Sequence, residues 1–271
     1  MQRRKLGSRT GIEVPAVGLG TWQTIERASA RDEGAVAELV DAAIETGANL
    51  FDSSPMYGRS EELLGDALNG RREQALIATK IWTPSAEEGA RQAERALGWY
   101  GGHVDLYQVH NLLAWREQLH LLGRLRDEGR VTAIGVTHYS PTAFDQLAEV
   151  MKDERVQAVQ LPYNPLEREV ERELLPLAAD LGLGVVVMRP FAQGRLLRRE
   201  PDRGAMAELK RQGVGSWTEA LLRWILSDPR CHVVIPATSR VEAVRSNAAA
   251  GDLPPLDGDT RERIARIAAG L

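Results

Sequence analysis

Short apolar runs recur along the chain, at residues 16–19, 49–51, 75–78, 104–107, 133–136, 156–159, 184–187 and 232–235. Near-continuous apolar strands of this kind are buried on both faces, as in parallel sheets. Between them, stretches such as 35–46, 86–97, 116–126 and 169–179 carry apolar residues at helical spacing with charges on the opposite side. Eight strands, seven of them followed by a helix before the next, predict an α/β fold, a (β/α)8 TIM barrel. Residues 5–14, with Gly7-Ser8 and Thr10-Gly11 inside them, predict a β-hairpin ahead of strand one. The longest connection, between Met188 and Cys231, predicts an extra helix and a mobile charged loop over 195–204, and 260–269 predicts a C-terminal helix. Gly47 and Gly182 fall where helices should stop, and Ser216 with Glu219 forms a capping box. Nothing resembling a linker or repeat interrupts 1–271, so one domain is expected.

Composition narrows the class without naming it. The 271 residues carry 34 Lys+Arg against 38 Asp+Glu, a formal net charge of −4. That balance argues against a nucleic-acid surface, which would show as a basic excess. No apolar run approaches the 18 or so residues of a membrane span, and the basic start at Arg3-Arg4-Lys5 has no apolar region behind it. The single Cys231 excludes an intramolecular disulfide and suits a reducing compartment. A cytoplasmic protein without nucleic-acid or membrane partners is expected, and its oligomeric state is not legible.

In this architecture sites form at the C-terminal ends of the strands. Those ends carry Trp22, Asp52, Lys80, His110, Thr137-His138, Gln160, Arg189 and Thr238 in order. Any one of them is explained by a strand ending where water begins. Asp52, Lys80 and His110, however, close three adjacent strands and should converge. A buried lysine needs a carboxylate partner, and Asp52 is the neighbouring one. The pair could simply seal the barrel top. Alternatively, Tyr57 in the loop 55–58 folds its phenol over Lys80, whose ammonium favours phenolate and lowers the phenol pKa. That would make Tyr57 a general acid. Five histidines and no His-x-His after strand one do not make a metal cage, so no metal site is expected.

The order Gly20-Thr21-Trp22, Asp52 with Tyr57, Thr79-Lys80 and Asp105-Leu106-Tyr107-Gln108-Val109-His110 resembles the aldo-keto reductases, in a short bacterial-type form. Residues 57–65, Tyr-Gly-Arg-Ser-Glu-Glu-Leu-Leu-Gly, resemble that family's Tyr-Gly-x-Ser-Glu-x-x-Leu-Gly signature. The resemblance implies hydride transfer from a nicotinamide dinucleotide to an aldehyde or ketone, with Tyr57 protonating the oxygen, Lys80 and Asp52 tuning Tyr57, and His110 orienting the carbonyl. It also implies a cofactor site along Gly20, Thr21, Trp22 and Asp52. Thr137-His138 stands where the family has Ser-Asn for the nicotinamide carboxamide, and Gln160 matches its glutamine. Met188 stands where an aromatic residue lies under the nicotinamide. Met188 could pack on the ring or belong to the core. Arg189 is placed to reach the pyrophosphate, followed by Pro190, Phe191, Gln193, Gly194 and Arg195. Ile235, Pro236, Ala237, Thr238, Ser239 and Arg240 resemble the segment that wraps the adenosine phosphate, and Asn247 matches an adenine contact. Ala237 and Ala243 replace residues that grip a 2′-phosphate in many members, while Thr238, Ser239 and Arg240 remain for it. NADP(H) is therefore favoured, with NAD(H) as the alternative. Trp22, Tyr57, Trp82, His110, Leu112 and Trp115 are expected to line an open pocket for an apolar carbonyl substrate. The competing implication is an NAD(P)H-binding sensor or regulatory subunit with slow turnover.

Overall fold

The structure, a computed structural model, describes residues 1–30 and 34–271. Among these residues the strands are β1 (Arg3–Lys5), β2 (Glu13–Pro15), β3 (Leu19–Gly20), β4 (Leu50–Asp52), β5 (Leu76–Ile81), β6 (Val104–His110), β7 (Val131–Thr137), β8 (Ala158–Pro162), β9 (Gly184–Met188) and β10 (Val233–Val234). β1 and β2 pair antiparallel, with Arg3 opposite Pro15 and Lys5 opposite Glu13. β3 to β10 run parallel in sequence order, each paired with the next. The sheet then closes on itself. Val17 bridges Val234 and Gly20 bridges Ala237, and the Gly18 and Gly20 N–H groups donate to the carbonyls of Val234 (2.9 Å) and Pro236 (3.1 Å). A Cβ at Gly20 would stand 2.9 Å from the Ile235 carbonyl oxygen, so this seam requires glycine. The molecule is a (β/α)8 barrel with an N-terminal hairpin and extra helices.

Side-chain alternation divides the strands between two cores. Leu50, Ala78, Leu106, Ala133, Ala158, Val186 and Val233 fill the barrel interior together with Leu6, Ile12 and Val14 of the hairpin region. Phe51, Ile77, Tyr107, Val109, Ile134, Val136 and Val159 face outward into the helix layer. The hairpin stoppers the N-terminal end. A Cβ at Gly7 would lie 2.4 Å from the backbone nitrogen of Gly184, the first residue of β9. With that end closed, the open mouth lies at the C-terminal ends of the strands.

Local punctuation follows the sequence with two departures. Ser216 accepts from the Glu219 N–H (3.2 Å), and the Glu219 carboxylate reaches back to the Gly215 N–H (3.1 Å). Gly47 and Gly182 adopt positive φ after their helices. The helix expected over 169–179 is instead a short 3-10 turn, Glu169–Glu171, and a helix Leu174–Asp180. The proline ring at Pro176 excludes a helical carbonyl four residues earlier, so the helix can start only just ahead of it. The charged stretch expected to be a mobile loop over 195–204 holds a 3-10 segment, Ala192–Leu197, and the start of a helix Arg203–Arg211. Asp202 caps that helix by accepting from the Ala205 N–H (2.8 Å). Cys231 is buried. Among the described residues no helix is long and apolar enough to cross a membrane.

Candidate active site

Backbone strain marks the mouth of the barrel. Every non-glycine residue with positive φ among the described residues lies in the connection that follows a strand: Gln23 after β3, Asn111, Leu112 and Ala114 after β6, and Arg189, Ala192 and Gln193, the last two at the kinked start of the 3-10 segment, after β9. Such conformations cost of order 1–3 kcal/mol each and persist where surrounding structure imposes them, most often at functional sites.

Beneath these loops the barrel axis holds a buried polar network. Lys80 Nζ donates to Asp52 Oδ2 (2.7 Å) and to the Ser53 carbonyl (2.7 Å). Asp52 Oδ1 accepts from Gln160 Nε2 (2.8 Å) and, at longer range, Gln108 Nε2 (3.4 Å). Lys80 is fully buried. Burial, the largest single influence, pushes its ammonium toward the neutral form, but Asp52 and then Tyr57 outweigh it and hold the pKa above the ordinary lysine value. The two residues expected to pair do pair, and the amide of Gln160 is directed to Asp52.

Tyr57 reaches this network through a tight loop. Its N–H donates to the Ser54 carbonyl and its carbonyl accepts from the Ser60 N–H, while Gly58 adopts positive φ. The Tyr57 ring lies with its centroid 5.3 Å from Lys80 Nζ and 5.9 Å from the His110 ring, edge to face. Here the electrostatics differ from the sequence expectation. The Tyr57 pKa is raised, because burial outweighs the lowering by Lys80, and Asp52 adds to the rise. His110 is driven the other way, to about 3, by burial and by the charge of Lys80, so its imidazole is neutral at physiological pH. Ser54 Oγ lies 2.9 Å from His110 Nδ1 and accepts from the Met56 N–H (3.2 Å).

The remaining predicted residues lie at or beyond the strand ends. Thr137 is buried at the end of β7, in register with His110 and Gln160. His138 accepts at Nδ1 from the Ser140 N–H (3.0 Å) and stacks on Tyr139, with centroids 5.4 Å apart. Met188 is partly buried against the barrel interior. The Arg189 guanidinium lies 4.6 Å from the Tyr139 ring centroid, and Gln193 accepts from Arg189 Nε (3.3 Å) and Nη2 (3.0 Å) through its amide oxygen. At the seam, Thr21 N–H donates to the Asp52 carbonyl and Thr21 Oγ1 donates to Ser53 Oγ (3.0 Å). Thr238 Oγ1 accepts from the Arg240 N–H (3.2 Å), and Arg240 begins the helix Val241–Ala250 with no side chain capping it. Asn247 is buried on that helix. Of the expected pocket residues, Trp82 is exposed with its backbone pinned by Gln92, and Trp22 is half-buried. Trp115 is half-buried under the Arg116 guanidinium, and Leu112 is packed into the main core.

The sequence profile of the Aldo/keto reductase family matches residues 16–269. The chain belongs to this family. Its members are oxidoreductases acting on carbonyl groups. The chain is 28% identical to methylglyoxal reductase YeaE of Escherichia coli (strain K12) over 257 residues, which covers 92% of this chain and 89% of that protein. It is 32% identical to aldo-keto reductase YhdN of Bacillus subtilis (strain 168) over 209 residues, covering 69% and 61% of the two chains. Among solved structures, an aldo-keto reductase from Klebsiella pneumoniae in complex with NADPH superposes with a TM-score of 0.80 at 27% identity, over 98% of this chain and 95% of that one.

Two polar residues, Ser53 and Ser54, were not singled out from sequence, and two more, Gln108 and Glu61, stood in the quoted motifs without a role. Ser54 holds His110, Ser53 joins Thr21 to Lys80, Gln108 reaches Asp52, and Glu61 lies buried behind Lys80, accepting from Thr79 Oγ1 at 2.5 Å. Glu61 was open to detection, since a glutamate beside three small or apolar neighbours at helical spacing marks a buried helix face. Ser54 had no such signal.

Proposed function

We propose that this protein is an NADPH-dependent reductase of aldehydes and ketones, with Tyr57 as general acid. One observation carries the reading: the Tyr57 ring lies over the Lys80 ammonium, itself paired with Asp52, and beside a neutral His110. The NADPH of the Klebsiella structure and the name of the E. coli relative, a methylglyoxal reductase, support it. The residues fit the cofactor. The uncapped helix start at Arg240 leaves backbone N–H groups and a guanidinium for a phosphate, and Thr137, in register with Gln160 and followed by His138, offers polar groups for a carboxamide.

NADPH, held by the residues named above, would supply the hydride for the carbonyl carbon. The chain's own residues handle the oxygen. The Ser54 Oγ–His110 Nδ1 contact orients the ring, and we assign the Ser54 proton to it, the direction that leaves Nε2–H as donor to the carbonyl. Burial keeps Tyr57 protonated at neutral pH, a loaded acid. As negative charge develops on oxygen, the Tyr57 proton moves to it, and Lys80 stabilises the phenolate left behind. Asp52 keeps Lys80 charged and in place. The substrate wall is assigned to Trp22, Trp82 and Trp115, and residues 1–271 act as one barrel domain in the cytoplasm, where the single buried Cys231 stays reduced.

The test is NADPH oxidation with an aromatic aldehyde, wild type beside Tyr57→Phe. Turnover should fall by about 10²–10⁴ in the variant, with NADPH affinity by fluorescence titration unchanged. Unchanged turnover removes Tyr57 from the mechanism. Tight NADPH binding without turnover in the wild type favours the sensor.

A further inference from the structure

Behind Lys80, on the outer side of the barrel wall, lies a second buried polar cluster that the reaction described above does not use. Its centre is Glu61, on the helix Ser60–Ala67, only 3% exposed. Thr79 and Lys80 are successive on β5 and point to opposite faces of the sheet. Lys80 faces the barrel axis, and Thr79 faces Glu61 and donates to its carboxylate. One turn on, Gly65 packs this helix against the helix Ala86–Trp99, where a Cβ would lie 2.8 Å from that of Trp99. The groups facing Glu61 are few. From β5 there are Thr79 and the charge of Lys80. From β6 there is Tyr107, in register with Thr79. Arg95 belongs to the helix Ala86–Trp99, Tyr100 ends that helix with its hydroxyl beside Ser53, and Ser60 comes from Glu61's own helix. Arg95 is bound outward to Glu88 (2.9 Å), and the Tyr100 and Tyr107 hydroxyls and Ser60 Oγ are buried without a hydrogen-bond partner among the described residues.

A buried carboxylate is costly unless it is paired and hydrogen-bonded. Glu61 has one hydroxyl donor and no ion pair among the described residues, so it has little to hold its charge. Lys80, already satisfied by Asp52 and the Ser53 carbonyl, nonetheless feels whether that charge is present. We propose that Glu61 is a positioning residue for carbonyl reduction: by carrying charge or not, it sets the field that Lys80 presents to Tyr57. Neutral Glu61 leaves the Lys80 charge at full strength on the far side of the wall, so the Tyr57 phenolate is stabilised. Ionised Glu61 partly cancels it and makes Tyr57 a weaker acid. Burial raises the Glu61 pKa to about 7, against the lowering by Thr79 and Lys80, which brings the change into the physiological range. Reduction therefore slows as pH rises through this value.

This inference rests on the reductase reading, and its test separates the two. In wild type, kcat/KM for NADPH-driven aldehyde reduction should fall roughly three- to tenfold between about pH 5.5 and about pH 8.5. In Glu61→Gln the profile should lose that step and stay at the low-pH level, with NADPH affinity unchanged. Thr79→Val, which removes the one donor to Glu61, should move the step to higher pH. The same inflection in wild type and Glu61→Gln overturns the proposal. A readout independent of turnover covers a poorly active variant. Between the unfolded and folded pKa of Glu61 the folded state binds the extra proton, so wild-type stability falls relative to Glu61→Gln as pH rises through that window. A Tm difference between the two proteins that does not change with pH also overturns the proposal. If wild type shows no reduction at all while the Tm difference titrates, the reductase reading fails and Glu61 as a buried titrating group stands.

Discussion

Asp52 is the residue on which the mouth of the barrel depends. Its carboxylate accepts from Lys80, Gln160 and Gln108, drawn from three different strands. Lys80 has no other ion-pair partner among the described residues, and it is fully buried. Asp52→Asn should therefore cost about 3–5 kcal/mol of unfolding free energy, the usual result of leaving a buried charge alone. Lys80→Met should restore much of it in the double variant. Urea unfolding of the three proteins checks this. A loss in Asp52→Asn no larger than a surface change, about 0.5 kcal/mol, would mean that Lys80 enters the fold uncharged. The pairing of these two was legible in the sequence, because each is the polar residue that ends an apolar run. The direction of the Tyr57 shift was not. An adjacent ammonium can be inferred from strand order, but how deeply a loop buries its phenol depends on the neighbouring loops.

At the scale of elements, the loop after β4 converts strand order into catalytic geometry, and one glycine makes it feasible. Gly58 has φ +59°, and a Cβ there would stand 2.1 Å from Glu26 Oε1, which accepts from the Arg59 N–H at 2.6 Å. The carboxylate of the helix Ile25–Ser29 thus clamps the backbone just past Tyr57. Gly58→Ala should add about 1–2 kcal/mol of left-handed strain and push Glu26 away. The displaced phenol should lower kcat about tenfold or more with NADPH affinity unaltered. Gly70→Ala is the control. It has φ +76° and nothing within 4 Å of the added carbon, so it carries the strain without the collision. Equal kcat in the two variants would show that the clamp does not aim Tyr57. Strand number, order and the hairpin were readable because short apolar runs recur eight times, whereas the helix start at Leu174 was missed although Pro176 marks it. Contacts such as Glu26 to Gly58, or Ser54 to His110, join elements distant in sequence. No local pattern encodes them.

The whole molecule is a barrel closed at one end and charged unevenly at the other. It carries a formal net charge of −4, and most of its ion pairs lie on the helix layer. Arg189, Arg195 and Arg240, all in the loops after β9 and β10, make no ion pair among the described residues. Cations left free at one mouth of an acidic protein focus a positive potential there and attract an anionic dinucleotide. NADPH differs from NADH by one phosphate, and Thr238, Ser239 and Arg240 at an uncapped helix start are the groups available to hold it. NADPH should bind more tightly than NADH and raise Tm further at equal concentration, since stabilisation follows ligand concentration over Kd. Arg240→Ala should weaken NADPH about tenfold or more, the scale of a lost charge-assisted hydrogen bond, and leave NADH unchanged. The NADPH preference should also shrink as salt is raised, because an exposed guanidinium is screened. Equal affinities for the two cofactors in the wild type would separate Arg240 from the 2′-phosphate. They would assign the positive mouth to the pyrophosphate that both cofactors share.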